Sequence, residues 1–343
     1  MEEQTFVVHG RLQRPFSQCA GVKNHGYSTP LQRCLTDFGA DESFSHAVQK
    51  IQEHYGITVP VSAAQRITEY HAGKMLDQES LATEFPDDAG SAFIIVEADG
   101  SMIPVVTTAG NTSGIMPSDK RRCRSVQWQE ARLTLAHQSG SVTPFFGATM
   151  DGTDATGDHM LNVAILAGGS SHSTIHCLGD GAPWIADQCD RVYGDQGHYL
   201  IDFYHLCDYL SAAASGCQQH GDGVWLDEQK RLMKTGQVAV VIQNLKDHLE
   251  QESIPDKDAP VRLCHRYLIN RPGQFEYAKA LDAGLPIGSG EIESAHRYII
   301  QKRLKIAGAW WKKDNARKML VLRTLRANGG WQKYWNQKHD LAA

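Results

Sequence analysis

The sequence predicts an α/β fold in which a mixed sheet is flanked by helices. Short apolar runs rich in β-branched residues alternate with helical patterns between residues 93 and 205. From about residue 206 to 284 the chain has a helical pattern throughout. Its 343 residues, 41% hydrophobic and 21% charged, are enough for at least one full core and are ordinary for a folded globular protein.

The N-terminal part is expected to be helical after a short lead-in. Residues 1–30 lack clear periodicity and predict a poorly ordered or extended segment. Residues 31–88 have apolar positions at helical spacing, with Asp41 or Ser43 as a cap of one helix and Ser62 as the cap of the next. This pattern is compatible both with a DNA-binding helix-turn-helix and with a plain helical hairpin.

Three consecutive strands are expected next, in a meander. The apolar runs at 93–98, 102–109 and 128–138 predict them, and Asp99-Gly100 predicts a turn between the first two. Residues 109–126, rich in Gly, Ser, Asn and basic side chains, indicate a loop.

Helices and strands then alternate. We expect a helix from Asp154, a strand from Thr174, a helix from Pro183 with proline in its first turn, and a strand over 199–205. Three strands followed by helix, strand, helix, strand and helix is the order of a ribonuclease-H-like fold. The core then comprises residues 89–205 and 285–343, with residues 206–284 as a helical insertion.

Three carboxylates are the candidates for chemistry. Asp99 and Asp180 each end an apolar run, and Glu293 opens a basic helical segment. In the expected topology the first and fourth strands are neighbours, so the two aspartates could meet. Carboxylates are among the oxygen ligands that Mg²⁺ prefers, and two such ions suit phosphodiester chemistry; Mn²⁺ can substitute for them. The alternatives are ordinary turns, since Asp-Gly and strand-to-helix junctions are common places for aspartate.

Other acids compete for these roles. Glu291 lies two residues from Glu293, roughly 200° around a helix, so both cannot face one site. Glu293 is the expected site residue, and Glu291 could be an acid at the helix start that the helix dipole favours. Asp151 is the alternative to Asp99 as the first metal ligand. It lies too close to Asp180 in sequence for the expected strands and helix to intervene, so we interpret its segment as a loop and helix cap. Asp202 and His205 could form hydrogen bonds that orient the metal ligands, or form a hydrogen-bonded pair that supports a strand end.

The charge distribution suggests a nucleic-acid partner despite a net charge of −5. Residues 297–326 contain ten Lys or Arg and a single acid, Asp314, and such a block is an electrostatic footprint for phosphate. A solvated helix surface is the other interpretation. The expected DNA contacts are Arg297, Gln301, Lys302, Arg303, Lys305, Lys312 and Lys313.

Cysteine usage and hydropathy bear on location. The eight cysteines include no C-x-x-C pair, and several lie in apolar runs, which favours buried thiols in a reducing compartment. The sequence starts without a signal-peptide pattern and has no run of 18 apolar residues. A cytoplasmic protein without a membrane span is expected.

Several segments together resemble a known family. The chain is similar to DDE transposases of bacterial insertion sequences, of the ISKra type, with kinship to the ISLre type and the Mutator superfamily, over roughly residues 30–336. The matching segments are VEADGSMIPV (96–105), WQEARLTLAH (128–137), LGDGAPWI (178–185), IDFYHL (201–206) and the block at 285–311 that begins LPIGSGEIES.

The resemblance implies a ribonuclease-H-like catalytic domain whose acidic triad is Asp99, Asp180 and Glu293. It places the D-x-x-H element of the wider superfamily on Asp202 and His205. The implied activity is strand cleavage at transposon ends and strand transfer into target DNA by at least a dimer assembled on DNA. Relatives often carry a zinc-ribbon-like N-terminal element that is missing here, so end recognition is expected from residues 30–75. A DNA-binding regulator without catalysis, and a nuclease that cuts without joining, are the alternatives.

Overall fold

The computed structural model describes residues 6–13, 15, 19, 26–108, 124–217 and 223–340. A small antiparallel hairpin, β1 (Phe6–Val8) and β2 (Arg11–Gln13), precedes the first helix. Part of the expected lead-in is therefore extended, and most of the rest lies outside the described residues.

Within the described residues, five strands form one mixed sheet in the order β5-β4-β3-β6-β7. The strands β3, β4 and β5 are antiparallel neighbours, whereas β6 runs parallel to both β3 and β7. Helix α4 (Thr153–Leu166) connects β5 to β6, and α5 (Pro183–Tyr193) connects β6 to β7. The strand bounds are β3 (Phe93–Thr108), β4 (Arg124–Gln138), β5 (Phe145–Thr149), β6 (Thr174–Gly179) and β7 (Gly197–Ile201).

The predicted turn at Asp99-Gly100 is wrong. Strand β3 runs through it without interruption for 16 residues, and Asp99 pairs with Leu133 of β4. A side chain at position 100 would collide with the Glu130 carboxylate, so glycine serves close packing in the sheet here. Because β3 and β4 pair along their whole length, the ladder outweighs the local turn preference. The third strand of the meander is then β5, which was not predicted.

The two faces of β3 pack against different helices. Ile94 and Val96 lie in a cluster with side chains of α4 and α5, whereas Ile95 packs with the helical segment that follows β7. The far half of the strand, including Ile103 and Val105, packs against the C-terminal helices. This alternation is the period of two that a strand buried on both faces requires.

Within the described residues, the regular elements of the expected helical insertion are all helices, joined by loops. The fifth strand, expected to reach His205, ends at Ile201 instead, because the Asp202 carboxylate accepts hydrogen bonds from the N–H groups of Tyr204 and His205 (2.6 and 2.9 Å) and so starts a helix at Phe203. The helices are α6 (Phe203–Cys217), α7 (Val224–Lys234), α8 (Val238–Lys246), α9 (Pro260–Ile269) and α10 (Tyr277–Asp282).

The predicted N-terminal helices are present as α1 (Thr29–Asp41), α2 (Phe44–Tyr55) and α3 (Val61–Asp77). Ser43 caps α2 as expected, accepting a hydrogen bond from the His46 N–H at 3.2 Å. Ser62 is not a cap, since α3 already begins at Val61, directly after Pro60. Helix α3 packs against α1 and against a C-terminal helix, α13 (Lys313–Ala327).

The basic block is divided between several elements. Helix α11 (Gly290–Ala295) continues as a π-helical stretch (His296–Gln301) and ends with the short α12 (Lys302–Leu304). The expected single helix is thus broken, and Gly308, with a left-handed φ of 75°, lies in the loop before α13. Helix α14 (Trp331–Asp340) follows.

Arg323 of α13 ties the C-terminal helices to α1. Its buried guanidinium donates hydrogen bonds to the backbone carbonyls of Ile299, Tyr298 and Ala40, and pairs with the Asp41 carboxylate at 2.6 Å. The N-terminal helices are therefore fixed to the sheet through the C-terminal ones.

Among the residues described, no helix is both long and apolar enough to cross a lipid bilayer.

Arg323→Met should lower the free energy of unfolding by about 3 kcal/mol, because it leaves buried carbonyl groups and Asp41 without their donor. Urea denaturation followed by circular dichroism measures this change. Arg231→Met is the matched control: Arg231 forms an exposed pair with Glu228 within α7 and its loss should leave stability nearly unchanged. Equal effects of the two substitutions would contradict the structural role of Arg323.

Candidate functional site

Parallel pairing of β3 with β6 relates two of the predicted acids. The register runs from Phe93 opposite Thr174 to Glu97 opposite Leu178. Asp99 lies two residues beyond Glu97 on β3, and Asp180 lies two residues beyond Leu178, directly after the end of β6. Because Ile95 packs with the helical insertion and side chains alternate along a strand, Asp99 lies on the face of β3 that the insertion covers.

The turn after β6 fixes the backbone at Asp180. Its Oδ1 accepts a hydrogen bond from the Ala182 N–H at 2.8 Å. Gly181 has a φ of 89°, and a side chain there would collide with the Tyr267 hydroxyl. Glycine is required at this position for both reasons.

Side chains of the helical insertion form hydrogen bonds to the backbone of this turn. The Tyr267 hydroxyl donates to the Asp180 carbonyl at 3.1 Å, and the Arg271 Nε donates to the Gly181 carbonyl at 3.0 Å. The Arg271 guanidinium lies 4.0 Å from the centre of the Tyr267 ring, which in turn stacks on Tyr209 with centroids 4.0 Å apart. Two side chains of the insertion thus bind the backbone that carries a predicted metal ligand.

Asp99 is partly exposed on β3. Its Oδ1 accepts a hydrogen bond from the Gly100 N–H at 2.7 Å, and its Oδ2 lies 3.2 Å from Nε2 of His296. His296 was not among the sequence candidates.

Glu97 is a second residue that the sequence analysis missed. It lies two positions before Asp99 on the same face of β3, is only 2% exposed, and accepts a hydrogen bond from the Ile292 N–H at 2.7 Å. Burial raises its pKa to about 8, although the hydrogen bond from Ile292 opposes the rise. An acid within the apolar run FIIVEA was the available signal.

Other carboxylates surround Glu97. The negative charges of Glu291, Asp202 and Glu293 add to the rise in its pKa, so these groups lie within electrostatic reach of it. Glu293 is exposed on α11, and Glu291 points elsewhere, with its Oε2 3.5 Å from His137. We call Glu97, Asp99, Asp180, Asp202 and Glu293 the carboxylate cluster.

Asp202 anchors the segment that leads into α11. Its Oδ2 accepts hydrogen bonds from the Ser289 N–H (2.5 Å) and hydroxyl (2.6 Å), while its Oδ1 caps α6. His205 contributes its backbone N–H to this cap, and its ring lies edge-on to Tyr209 at 5.7 Å. The two residues are thus linked through the backbone, with Asp202 holding together β7, α6 and the start of α11.

The cluster offers the donors of a divalent-cation site but not a complete set. Glu97, Asp180, Asp202 and Glu293 form no ion pair with Lys, Arg or His among the residues described, and a cation would relieve the repulsion of Glu97 by Asp202 and Glu293. The donor chemistry therefore fits a hard divalent ion. Within the same part of the chain, however, no three His, Cys, Asp or Glu side chains stand close enough to hold one.

Asp151 lies apart from this arrangement. Its carboxylate pairs with Arg317 at 2.6 Å, in the loop between β5 and α4. Asp151 therefore lies in a loop, as expected, but the N-cap of α4 is Gly152.

The expected DNA contacts separate into exposed and buried residues. Arg303 is 2% exposed; its Nε donates to the Gly39 carbonyl at 2.8 Å and its guanidinium lies 4.6 Å from the rings of Phe44 and Trp311. The expectation that it contacts phosphate is therefore wrong for this conformation. Of the other expected contacts, Gln301 is half-buried and the following are exposed: Arg297, Lys302, Lys305, Lys312 and Lys313.

A family profile described as "Uncharacterised protein family (UPF0236)" matches residues 169–339, a segment that contains Asp180 and Glu293 but not Asp99. The chain is 25% identical over 166 residues to the "UPF0236 protein in vanSb 3′ region" of Streptococcus gallolyticus, a match that covers 47% of this chain and 35% of that protein.

Similar relatives occur in Caldanaerobacter subterraneus subsp. tengcongensis. One UPF0236 protein, whose name carries eleven locus numbers, is 24% identical over 173 residues, covering 49% of this chain and 34% of the relative. Another is 24% identical over 174 residues, covering 49% of this chain and 35% of the relative. The chain thus spans about a third of the length of these curated relatives.

The raised pKa of Glu97 predicts a pH-dependent effect of Glu97→Gln. In the unfolded chain a glutamate loses its proton near pH 4.5, whereas folded Glu97 keeps it to about pH 8. The stability that the protonated side chain contributes is therefore complete below pH 4.5 and is lost as the pH rises to about 8. In EDTA, Glu97→Gln should exceed wild type in unfolding free energy by about 3 kcal/mol at pH 9, with little difference near pH 4.5.

Denaturant unfolding at a series of pH values measures this difference. Glu53→Gln, at an exposed carboxyl of α2 that is not among the charges acting on Glu97, is the control and should show much less pH dependence. If Glu97→Gln changed the unfolding free energy equally at pH 5 and pH 9, burial would not raise the pKa of the Glu97 carboxyl.

Proposed function

We propose that this chain is a metal-dependent DDE transposase with a ribonuclease-H-like core. The strand order β5-β4-β3-β6-β7, with β6 parallel to β3, is the arrangement expected for such a core. The chain order of the acids agrees with the same assignment: Asp99 on the first strand of the sheet, Asp180 after the fourth and Glu293 on a helix beyond the insertion.

The observation that carries the proposal is the parallel register of β3 and β6, which pairs Glu97 with Leu178, the residues two positions before Asp99 and Asp180. The buried Glu97 carboxyl beside them has no cation partner among the described residues. Strand ends in open α/β sheets are common ligand sites. A buried acid that faces further carboxylates, as Glu97 does, is costly to maintain for structure alone, and this cost favours a functional origin.

In this proposal Asp99, Asp180 and Glu293 hold two Mg²⁺, and Mn²⁺ can substitute for them. Bound there, two such ions would supply activation of the attacking oxygen and stabilisation of the leaving oxygen of a phosphodiester. Asp202 keeps α11 and Glu293 beside the sheet through Ser289. Tyr267 and Arg271 hold the turn of Asp180. The protein's own contribution is thus to keep three carboxylates in position before DNA arrives.

DNA binding would rest on the exposed part of the basic block. Arg297, Lys302 and Lys305 follow Glu293 in sequence, and Lys312 and Lys313 precede α13, so phosphates held by them would lie along the segment that carries the third acid. The substrates would be transposon ends and target DNA, and joining two ends requires at least a dimer on DNA.

The names of the relatives add support of another kind. One UPF0236 relative carries eleven locus numbers and another carries four. A protein encoded at many loci of one genome is what a mobile element produces. Since this chain spans about a third of those relatives, its partners and full activity remain part of the proposal.

A DNA-binding regulator without catalysis is the second candidate. It is favoured by the contact between Asp99 and His296 and by the lack, among the described residues, of three side chains close enough to hold an ion. A nuclease that cuts without joining shares the site with the transposase, and a strand-transfer assay separates the two.

Cleavage of labelled DNA carrying the two ends of the element that encodes this chain tests the proposal. Wild type should nick at the element boundary in Mg²⁺ or Mn²⁺ but not in EDTA, and Asp180→Asn should reduce the rate at least about a thousandfold, because a carboxylate ligand is lost. Asp187→Asn, at an exposed position of α5, should cleave like wild type. Tight binding to the ends of the element, without cleavage in the presence of any metal ion, would favour the DNA-binding regulator.

The Lys312→Ala, Lys313→Ala double variant should weaken duplex binding and reduce the slope of log Kd against log salt by about two, because two phosphate contacts are removed. Fluorescence anisotropy between 50 and about 300 mM salt measures both quantities. The control is Lys246→Ala with Lys257→Ala, which removes two exposed lysines of the insertion. Identical slopes for both double variants would exclude the basic block as the DNA surface.

A further inference from the structure

His296 occupies an unusual position beside the carboxylate cluster. It begins the π-helical stretch, three residues after Glu293, and is 3% exposed. Neither ring nitrogen has an aligned hydrogen-bond partner among the residues described. Buried polar side chains nearly always have a partner, so this imidazole requires an explanation.

The contact with Asp99 supplies one. Nε2 of His296 lies 3.2 Å from Oδ2 of Asp99, close enough for an ion pair, yet the two groups are not oriented as donor and acceptor of a hydrogen bond. Two ligand atoms at about 2.1 Å from one ion, and at about a right angle, stand about 3 Å apart. The observed separation therefore suits two ligands that share an ion.

The backbone around His296 agrees with a functional role. A π-helical turn contains one residue more than an α-helical turn, which re-aims the side chains that follow it, and such turns are frequent at functional sites. Here the π-helical stretch directly follows α11, so Glu293 and His296 are presented by one continuous helical segment.

We propose that His296 is a nitrogen ligand of the divalent ion held at Asp99, and that this position therefore prefers Mn²⁺ or Co²⁺ to Mg²⁺. The inference rests on the proposed function for the role of Asp99 and goes beyond it in assigning a mixed nitrogen and oxygen site. Mg²⁺ takes oxygen ligands almost exclusively, whereas imidazole raises affinity for later divalent metals. Two protein ligands leave the remaining positions of the ion to water and DNA phosphate.

The probe is Mn²⁺ alone, added to the metal-free full chain. Pulsed electron paramagnetic resonance of the wild-type complex should show the ¹⁴N modulation of a coordinated imidazole, a readout that needs neither activity nor a variant. In His296→Gln the modulation should disappear and Mn²⁺ affinity should fall about tenfold or more. Mg²⁺ affinity, measured by competition, should change much less.

Two further variants separate the possible failures. His137→Gln is the matched control, since His137 is also buried and contacts a carboxylate, Glu291; it should retain the ¹⁴N signal. Asp99→Asn should lose Mn²⁺ binding. Mn²⁺ bound by wild type without ¹⁴N modulation, or a signal lost in His137→Gln and kept in His296→Gln, overturns the role of His296 while the carboxylate site stands. Mn²⁺ binding that Asp99→Asn leaves unchanged overturns both the inference and the proposed metal site.

Discussion

Parallel pairing between β3 and β6 is the constraint on which the candidate site depends. It pairs Glu97 with Leu178 and so relates the middle of the long strand that carries Asp99 to the end of the short strand that precedes Asp180. Two parallel strands in one sheet need a crossover connection, which the chain makes through β4, β5 and α4. The apolar contacts of Ile94 and Val96 with α4 and α5 hold β3 in place and therefore support the site as well as the core.

The buried acids of this region differ in how the fold accommodates them. Asp202 is surrounded by four donors, two N–H groups at the start of α6 and two groups of Ser289, so its charge is well compensated. Glu97 receives one hydrogen bond and faces further negative charges. The first carboxylate acts as a structural anchor, whereas the second leaves the site short of positive charge, and this shortage is what a cation would correct.

Sequence patterns were sufficient for the alternation of helix and strand from α4 to β7, for the helices of the insertion and for the position of Asp180 directly after a strand, because each depends on apolar periodicity and on local capping chemistry. They failed where a distant partner decides the outcome. Asp99-Gly100 has the local chemistry of a turn, but pairing with β4 keeps it extended. Arg303 has the appearance of a surface cation, yet Phe44 and Trp311 enclose it. Glu97 and His296 become visible only when the sheet and the π-helical stretch are brought together.

The hydrogen bonds of Tyr267 and Arg271 to the turn after β6 have a consequence for the modularity of the chain. An inserted domain is usually free to be shortened, replaced or exchanged between relatives, because its two ends are its sole connections to the host. Here the insertion also touches the host at the backbone of Asp180 and Gly181. A chimera that grafts a foreign insertion onto this sheet would therefore need to reproduce a tyrosine and an arginine at these two carbonyls, in addition to matching the length of the junctions.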